Sequence, residues 1–304
     1  MYKKLSYRAI IELAAPHTWV ASIFPVILAG LLAYAFGYGI KPIFFLISLL
    51  ISILLQAAVN TINDYVDFVK GADNAESCPD TKDAAIVYHN INPKHALLVG
   101  ILFITAATIL GVILCILVSW WLIAFGIVGV LILVFYSMGP LPISYTPFGE
   151  ITSGFIMGGI ITLATYYVLT GVFSIMVLYY ASPLIITIGL IMLTNNSCDI
   201  IKDKEADRHT LPIILGAKNS HTLLILGFIF SILIVAHIGF WHFRAGSFIA
   251  IIMAIHSFFY IKSYLKIQLN LDNRRKAMVT TLKLVKTINI YYLIIILLGV
   301  VLHG

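Results

Sequence analysis

Ile43-Phe-Phe-Leu-Ile-Ser-Leu-Leu-Ile-Ser-Ile-Leu-Leu-Gln56-Ala-Ala-Val-Asn60-Thr-Ile-Asn63-Asp64-Tyr-Val-Asp67 runs from a charge-free, mostly apolar stretch directly into carboxylates. Residues 43–63 are long enough to cross about 30 Å of hydrocarbon as a helix. Carboxylates beside a bilayer are costly unless they bind something or face water. A second stretch repeats the arrangement. Asn195-Asn196-Ser-Cys198-Asp199-Ile-Ile-Lys202-Asp203-Lys-Glu205-Ala-Asp207-Arg208 follows the apolar run 173–194. Asn60-x-x-x-Asp64 thus recurs as Asn195-x-x-x-Asp199.

The rest of the chain has the same character. It is 61% hydrophobic and 11% charged, where a soluble domain carries about 25% charge. The mean hydropathy is +1.02. These values predict an all-α, polytopic integral membrane protein. Nine apolar runs can cross as helices: 17–37, 43–63, 97–118, 119–135, 148–171, 173–194, 222–243, 246–262 and 285–302. Ser119 with Trp120-Trp121 marks a tight turn at the interface, where Trp is enriched. Pro183 predicts a kink in the sixth span, tolerated where neighbours satisfy the freed carbonyl. Glu12 and Pro16 precede the first run and no small-residue cleavage site follows, so no removable signal peptide is expected. Cys78, Cys115 and Cys198 show no spacing for a zinc site or a disulfide framework.

Nine spans place the N-terminus and the loops after spans 2, 4, 6 and 8 on one side. Those segments hold 17 of the 19 Lys and Arg residues, all but Lys41 and Arg244. The positive-inside rule makes that side cytoplasmic. All 13 Asp and Glu residues fall there too, so the chemistry is expected at the cytoplasmic face of the plasma membrane. The basic 262–286 loop, with Arg274, Arg275 and Lys276, reads as a topology signal and a contact for anionic lipid. It lacks the stacking platform that nucleic-acid binding would need.

If the second helix continues past the interface, Asn60, Asn63, Asp64 and Asp67 share one face. Gly71 then breaks the helix and lets Asp73 fold back. Asn195, Asp199 and Asp203 also step by four. Oxygen-only ligands suit Mg²⁺, which takes one or two carboxylates together with phosphate oxygens. Lys70, Lys202 and Arg208 are within reach of further phosphate oxygens, Arg208 bidentately. The plain alternatives are exposed loop charges for the cations and interhelical hydrogen bonds for the asparagines.

These residues resemble the UbiA superfamily of intramembrane aromatic prenyltransferases, and within it the menaquinone-type 1,4-dihydroxy-2-naphthoate polyprenyltransferases. The likeness rests on Asn63-Asp64-x-x-Asp67 with Gly71-x-Asp73, and on Asn195-Asn196-x-x-Asp199-x-x-x-Asp203. It extends to Pro16-His17-Thr18, Pro25-Val-Ile-Leu-Ala-Gly30, Tyr136-Ser-Met-Gly139-Pro140 through Tyr145, Gly149-Glu150, Thr210-Leu211-Pro and Leu215-Gly216. Ala15, His17 and Cys198 depart from the pattern, standing where many menaquinone-type members carry a basic residue. Residues 87–90 likewise lack an Arg.

The resemblance implies a UbiA-type bundle of about nine helices, a single domain over 1–304, with cytoplasmic acidic-motif loops near 64–95 and 196–221. It implies Mg²⁺ held by Asp64, Asp67, Asp199 and Asp203 against the diphosphate of a polyprenyl donor. The allylic cation then meets an aromatic acceptor, 1,4-dihydroxy-2-naphthoate in menaquinone biosynthesis. Asn60, Asn63, Lys70, Asp73, Asn195, Asn196, Lys202 and Arg208 orient the donor in this reading. His17 faces the acceptor carboxylate. Tyr136 and Tyr145 shelter the cation through their rings. The alternatives are another acceptor, such as 4-hydroxybenzoate or haem, and a cation or organic-anion transporter built on the repeat.

Overall fold

The computed structural model describes residues 2–71, 85–137, 139 and 141–302. Asp73, Glu76, Cys78, Asp80 and Asp83 lie outside the described residues. Regular structure among the described residues is helical, apart from one bridge between Lys3 and Ile91. In chain order the helices are α1 Tyr7–Ala14, α2 Val20–Ala35, α3 Pro42–Val69, α4 Ala85–His89, α5 Pro93–Leu117 and α6 Leu122–Ser137. There follow α7 Gly149–Gly154, continued by a wide turn Phe155–Ile160 into α8 Ile161–Thr170, then α9 Met176–Cys198 and α10 Ile200–Glu205. The last are α11 Leu211–His242, α12 Ile249–Tyr264 and α13 Arg274–Val301.

Each apolar run read from the sequence coincides largely with one of these helices, save 148–171, which covers α7, the wide turn and α8. Among the described residues six are long and apolar enough to cross a membrane: α3, α5, the combined Gly149–Thr170, α9, α11 and α13. The pair Tyr7–Thr18 and Val20–Ala35, bent by 56°, makes a seventh if it is one span. Leu122–Tyr136 and Ile249–Tyr264 are apolar but shorter. One helix begins well before its apolar run does, α13 at Arg274, whereas the first turn of α11, from Leu211, is set off from the rest by a kink at Gly216 (φ 78°, ψ 159°). Hydropathy marks where a helix meets lipid, whereas backbone hydrogen bonding continues into the water-facing turns.

The chain divides into two compact units, Met1–Ile23 with Leu46–Pro142, and Phe24–Phe45 with Ile143–Gly304. In the first unit, α1 opens at Ser6, whose side chain accepts from the Ala9 N–H. It closes at Ala15 in the left-handed region (φ 45°). A helix end leaves carbonyls without intrahelical partners. Here α3 supplies them: the Thr61 hydroxyl donates to Leu13 O (3.3 Å) and the Asn60 amide to Ala14 O (3.1 Å). Trp19 Nε1 also donates to Ala14 O. Ala9, Leu13, Ala85, Ile86, Ile91 and Ala96 form an apolar cluster with Leu5, Tyr65 and Phe68 against it. Tyr65 and Phe68 of the first acidic stretch therefore anchor α3 to α1 and α4. Glu12 ties the same elements together, accepting from Arg8 (3.0 Å) and bonded to His89 (2.5 Å). The His89 hydrogen bond holds the Glu12 carboxyl below its ordinary range, opposed by partial desolvation.

In the second unit, the segment Gly149–Thr170 packs backbone to backbone against α9. A Cβ on Gly158 would lie 2.6 Å from the Ile185 nitrogen, so only glycine fits. Pro183 lies inside α9 as expected. A proline removes the hydrogen bond to the carbonyl four residues earlier, here Tyr179. The neighbouring Ser182 hydroxyl donates to Tyr179 O at 2.7 Å, and Tyr292 OH donates to Tyr180 O at 2.7 Å. Deeper in the unit Thr194 meets Thr281 (2.9 Å) and Tyr264 (3.2 Å), tying α9 to α13 and α12.

Candidate active site

The first acidic stretch lies on one unbroken helix, α3, through Val69. Asn63, Asp64 and Asp67 are half-buried on it, and Lys70, just past its end, is exposed. Asp64 Oδ2 accepts from the Ala85 N–H (3.2 Å). Asn60 is placed in an interhelical network. Its Nδ2 donates to Ala14 O and to Thr18 Oγ1 (2.9 Å), while its Oδ1 accepts from Gln56 (3.1 Å). Ser22 in turn donates to Gln56 Oε1. An amide with both donors and its acceptor engaged holds α1 and the start of α2 in place. His17 is exposed in the turn Pro16–Thr18. Tyr136 is buried in α6.

The second acidic stretch differs from the single continuous face expected. The helix breaks at Asp199 (φ −102°, ψ 14°), which ends α9 and precedes α10. Across the break Asp203 N–H donates to Asp199 O at 2.8 Å, which ties α10 to the end of α9. Asp199 and Asp203 are both buried, at 9% and 3% exposure. A carboxylate so buried is stable as an anion only with a charged or hydrogen-bonding partner. Each has an arginine. Arg208 Nη1 lies 3.4 Å from Asp203 Oδ1, and Arg274 Nε lies 3.3 Å from Asp199 Oδ2. Arg274 Nη2 also donates to Asn195 Oδ1 at 2.7 Å.

Tyr145 stands on the other side of Arg208, whose guanidinium carbon lies 4.5 Å from the ring centroid. Tyr145 O accepts from the His209 N–H, fixing the chain just after the motif. The ring face of Tyr145 thus already attracts a cation in this structure. Lys202 is half-buried on α10.

Two residues of this site were not assigned from the sequence. Glu150, 3% exposed at the start of α7, accepts from Asn196 Nδ2 at 2.8 Å. Arg274 begins α13, far along the chain from Asp199. Glu150 carries a signal, being a lone acid at the head of an apolar run. Arg274 carries none that separates it from the cations around it, since charge along a loop does not say which residue turns inward.

A family model, the UbiA prenyltransferase family, matches residues 22–302. The chain belongs to the UbiA prenyltransferase family. It is a membrane-embedded prenyltransferase. A Bacillus subtilis (strain 168) relative, 1,4-dihydroxy-2-naphthoate octaprenyltransferase, is 40% identical over 217 residues, covering 71% of this chain and 69% of that protein. UbiA prenyltransferase domain-containing protein 1 of Homo sapiens is 29% identical over 226 residues, 72% of this chain and 65% of that one. A solved UbiA homologue from Archaeoglobus fulgidus bound to DMAPP and Mg²⁺ shares the fold with a TM-score of 0.59. Identity is 15%, with 92% of this chain and 98% of that one covered. A solved digeranylgeranylglyceryl phosphate synthase aligns with a TM-score of 0.61 and 16% identity, over 96% of this chain and 98% of that one. At such identities these two structures speak for the UbiA fold.

Proposed function

We propose that this UbiA enzyme transfers a polyprenyl group from an allylic polyprenyl diphosphate to 1,4-dihydroxy-2-naphthoate, with Mg²⁺, in menaquinone biosynthesis. The observation that carries the donor chemistry is the second motif, where two buried carboxylates each already hold a cationic partner. The naphthoate acceptor is supported by the likeness to the Bacillus subtilis protein.

The donor set fits Mg²⁺. Asp64, Asp67, Asp199 and Asp203 offer hard oxygens, and Arg208 and Arg274 mark Asp203 and Asp199 as places where positive charge is stable. Among the described residues no three Asp, Glu, His or Cys side chains form a closed cage. Mg²⁺ does not need one, since it completes its octahedron with water and phosphate oxygens. When bound it neutralises diphosphate charge and so makes a better leaving group. Asp64, Asp67, Asp199 and Asp203 would hold it, with Asn63, Asn195, Asn196, Lys70, Lys202 and Arg208 orienting the donor. Asp73, outside the described residues, belongs to the same set.

The allylic C–O bond breaks with both electrons leaving on diphosphate. The ring carbon bearing the acceptor carboxylate attacks the allylic cation, and CO₂ departs as the ring regains aromaticity. Tyr145 and Tyr136 shelter the cation, and His17 takes the acceptor carboxylate. The chain acts as a single domain over 1–304. It sits in the plasma membrane with its N-terminus and acidic-motif loops, near 64–95 and 196–221, toward the cytoplasm, as the Lys and Arg distribution supports.

The test is diphosphate release by the purified protein with farnesyl or longer polyprenyl diphosphate, Mg²⁺ and dihydroxynaphthoate, with the lipid product identified by mass. A decarboxylated, prenylated naphthoquinol that disappears with EDTA is expected. Metal-dependent product only with 4-hydroxybenzoate or another ring would refute the acceptor and keep the reaction class.

A further inference from the structure

Arg274 is not explained by its own helix. It opens α13 as the first of three consecutive cations, Arg274-Arg275-Lys276. The positive end of a helix dipole disfavours cations in the first turn. Arg274 nevertheless turns inward, with only 18% of its side chain exposed. Its guanidinium spans two members of the second motif, Nη2 on Asn195 Oδ1 at 2.7 Å and Nε on Asp199 Oδ2 at 3.3 Å. The motif has no cation of its own between those residues, since Asn196, Ser197 and Cys198 stand there. Its own cations, Lys202, Lys204 and Arg208, follow Asp199, and Arg208 is engaged with Asp203. At the Asn195–Asp199 end of the motif, α13 supplies positive charge.

We propose that Arg274 is a ligand of the donor diphosphate, held beside Asn195 and Asp199 and turning its fork onto phosphate oxygens when the donor binds. The inference rests on the function proposed above. Arg274 balances the charge of Asp199, which keeps a buried anion stable. Asp199, as a residue that would hold Mg²⁺, would share its charge with the ion and so hold the guanidinium less tightly. Phosphate oxygens offer a planar guanidinium two parallel hydrogen bonds and more charge. Lysine would keep the charge and lose the fork.

The test uses the full chain in detergent, as wild type, Arg274→Gln and Arg274→Lys. Binding of the non-reacting farnesyl thiolodiphosphate with Mg²⁺ is measured by calorimetry, together with the KM for donor and acceptor and the unfolding temperature. Loss of a charged, bidentate contact is expected to weaken analogue binding about tenfold to a hundredfold in Arg274→Gln, with an intermediate effect in Arg274→Lys. Donor KM should rise in parallel while acceptor KM changes little. If the folded variants unfold at a lower temperature but bind the analogue as wild type does, Arg274 is only a structural partner of Asp199 and the inference falls. Should Arg274→Gln not fold, Arg274→Lys is read alone, and wild-type analogue affinity in it overturns the inference. Failure of the wild type itself to bind the analogue would instead refute the proposed donor.

Discussion

Asp199 and Glu150 are both buried acids at the second motif, yet their surroundings give them different work. Asp199 faces an arginine, whereas Glu150 faces the amide of Asn196. Asp199→Asn keeps the shape and removes the charge. It is expected to abolish prenyl transfer while the purified protein keeps its helical circular dichroism, and Asp64→Asn should do the same. Wild-type turnover in both would end the metal-site reading. Glu150→Gln retains an oxygen that can accept from Asn196, so activity and unfolding temperature should stay near wild type. Glu150→Ala leaves that buried donor without its partner, at a cost of about 1–3 kcal/mol. It should lower the unfolding temperature and raise donor KM; equal behaviour of the two variants would show that the hydrogen bond does not matter. At this scale Asp199 stood out in the sequence, because a carboxylate at the end of an apolar run demands an explanation, whereas Glu150 was not assigned to the site. The choice of Arg274 among its neighbours was not legible.

Among the elements, α9 carries the second motif and depends on close backbone approach. A side chain at Gly158 meets the backbone of Leu184 and Ile185. Its Cβ would lie 2.6 Å from the Ile185 nitrogen, 2.7 Å from the Ile185 Cα and 2.8 Å from the Leu184 carbonyl carbon. Gly158→Val is therefore expected to push the Gly149–Thr170 segment off α9, a destabilisation of at least about 1–3 kcal/mol from overpacking alone. Size-exclusion profiles and thermal unfolding of the variant check this, and a wild-type profile would contradict the packing. In the first unit, α1 and α4 are joined by Glu12 and His89. The pKa of Glu12 is lowered in the folded protein. Its contribution is then fully present above the ordinary value of 4.5 and is lost as pH falls through the lowered value. Hydrogen exchange across 7–14 and 85–89 should accelerate as pH is taken below 4.5, after correction for intrinsic rates. His89→Ala should flatten that dependence. The long helices were legible from apolar length, whereas the short α1, α4 and α10 lie outside the apolar runs. The break at Asp199 was not legible, because four-residue spacing is the same in one helix or two.

For the whole molecule, the distribution of Lys and Arg predicts which faces meet the cytoplasm. With Cys78, Cys115 and Cys198 replaced by Ala, Arg244→Cys should react with an impermeant maleimide in intact cells, and Lys262→Cys only after permeabilisation. The reverse pattern would invert the topology. The all-helical membrane class, the apolar runs and the two acidic motifs all follow from the order of the amino acids. Bilayer thickness sets span length, and the cost of charge in hydrocarbon restricts where acids can stand. It took the packed helices to show that Asn60 braces α1, that Glu150 holds Asn196, and that Arg274 rests on Asn195 and Asp199. Those pairings join residues 46 to 79 positions apart. They depend on which side chains buried polar groups find once the helices pack, and no local periodicity encodes that choice.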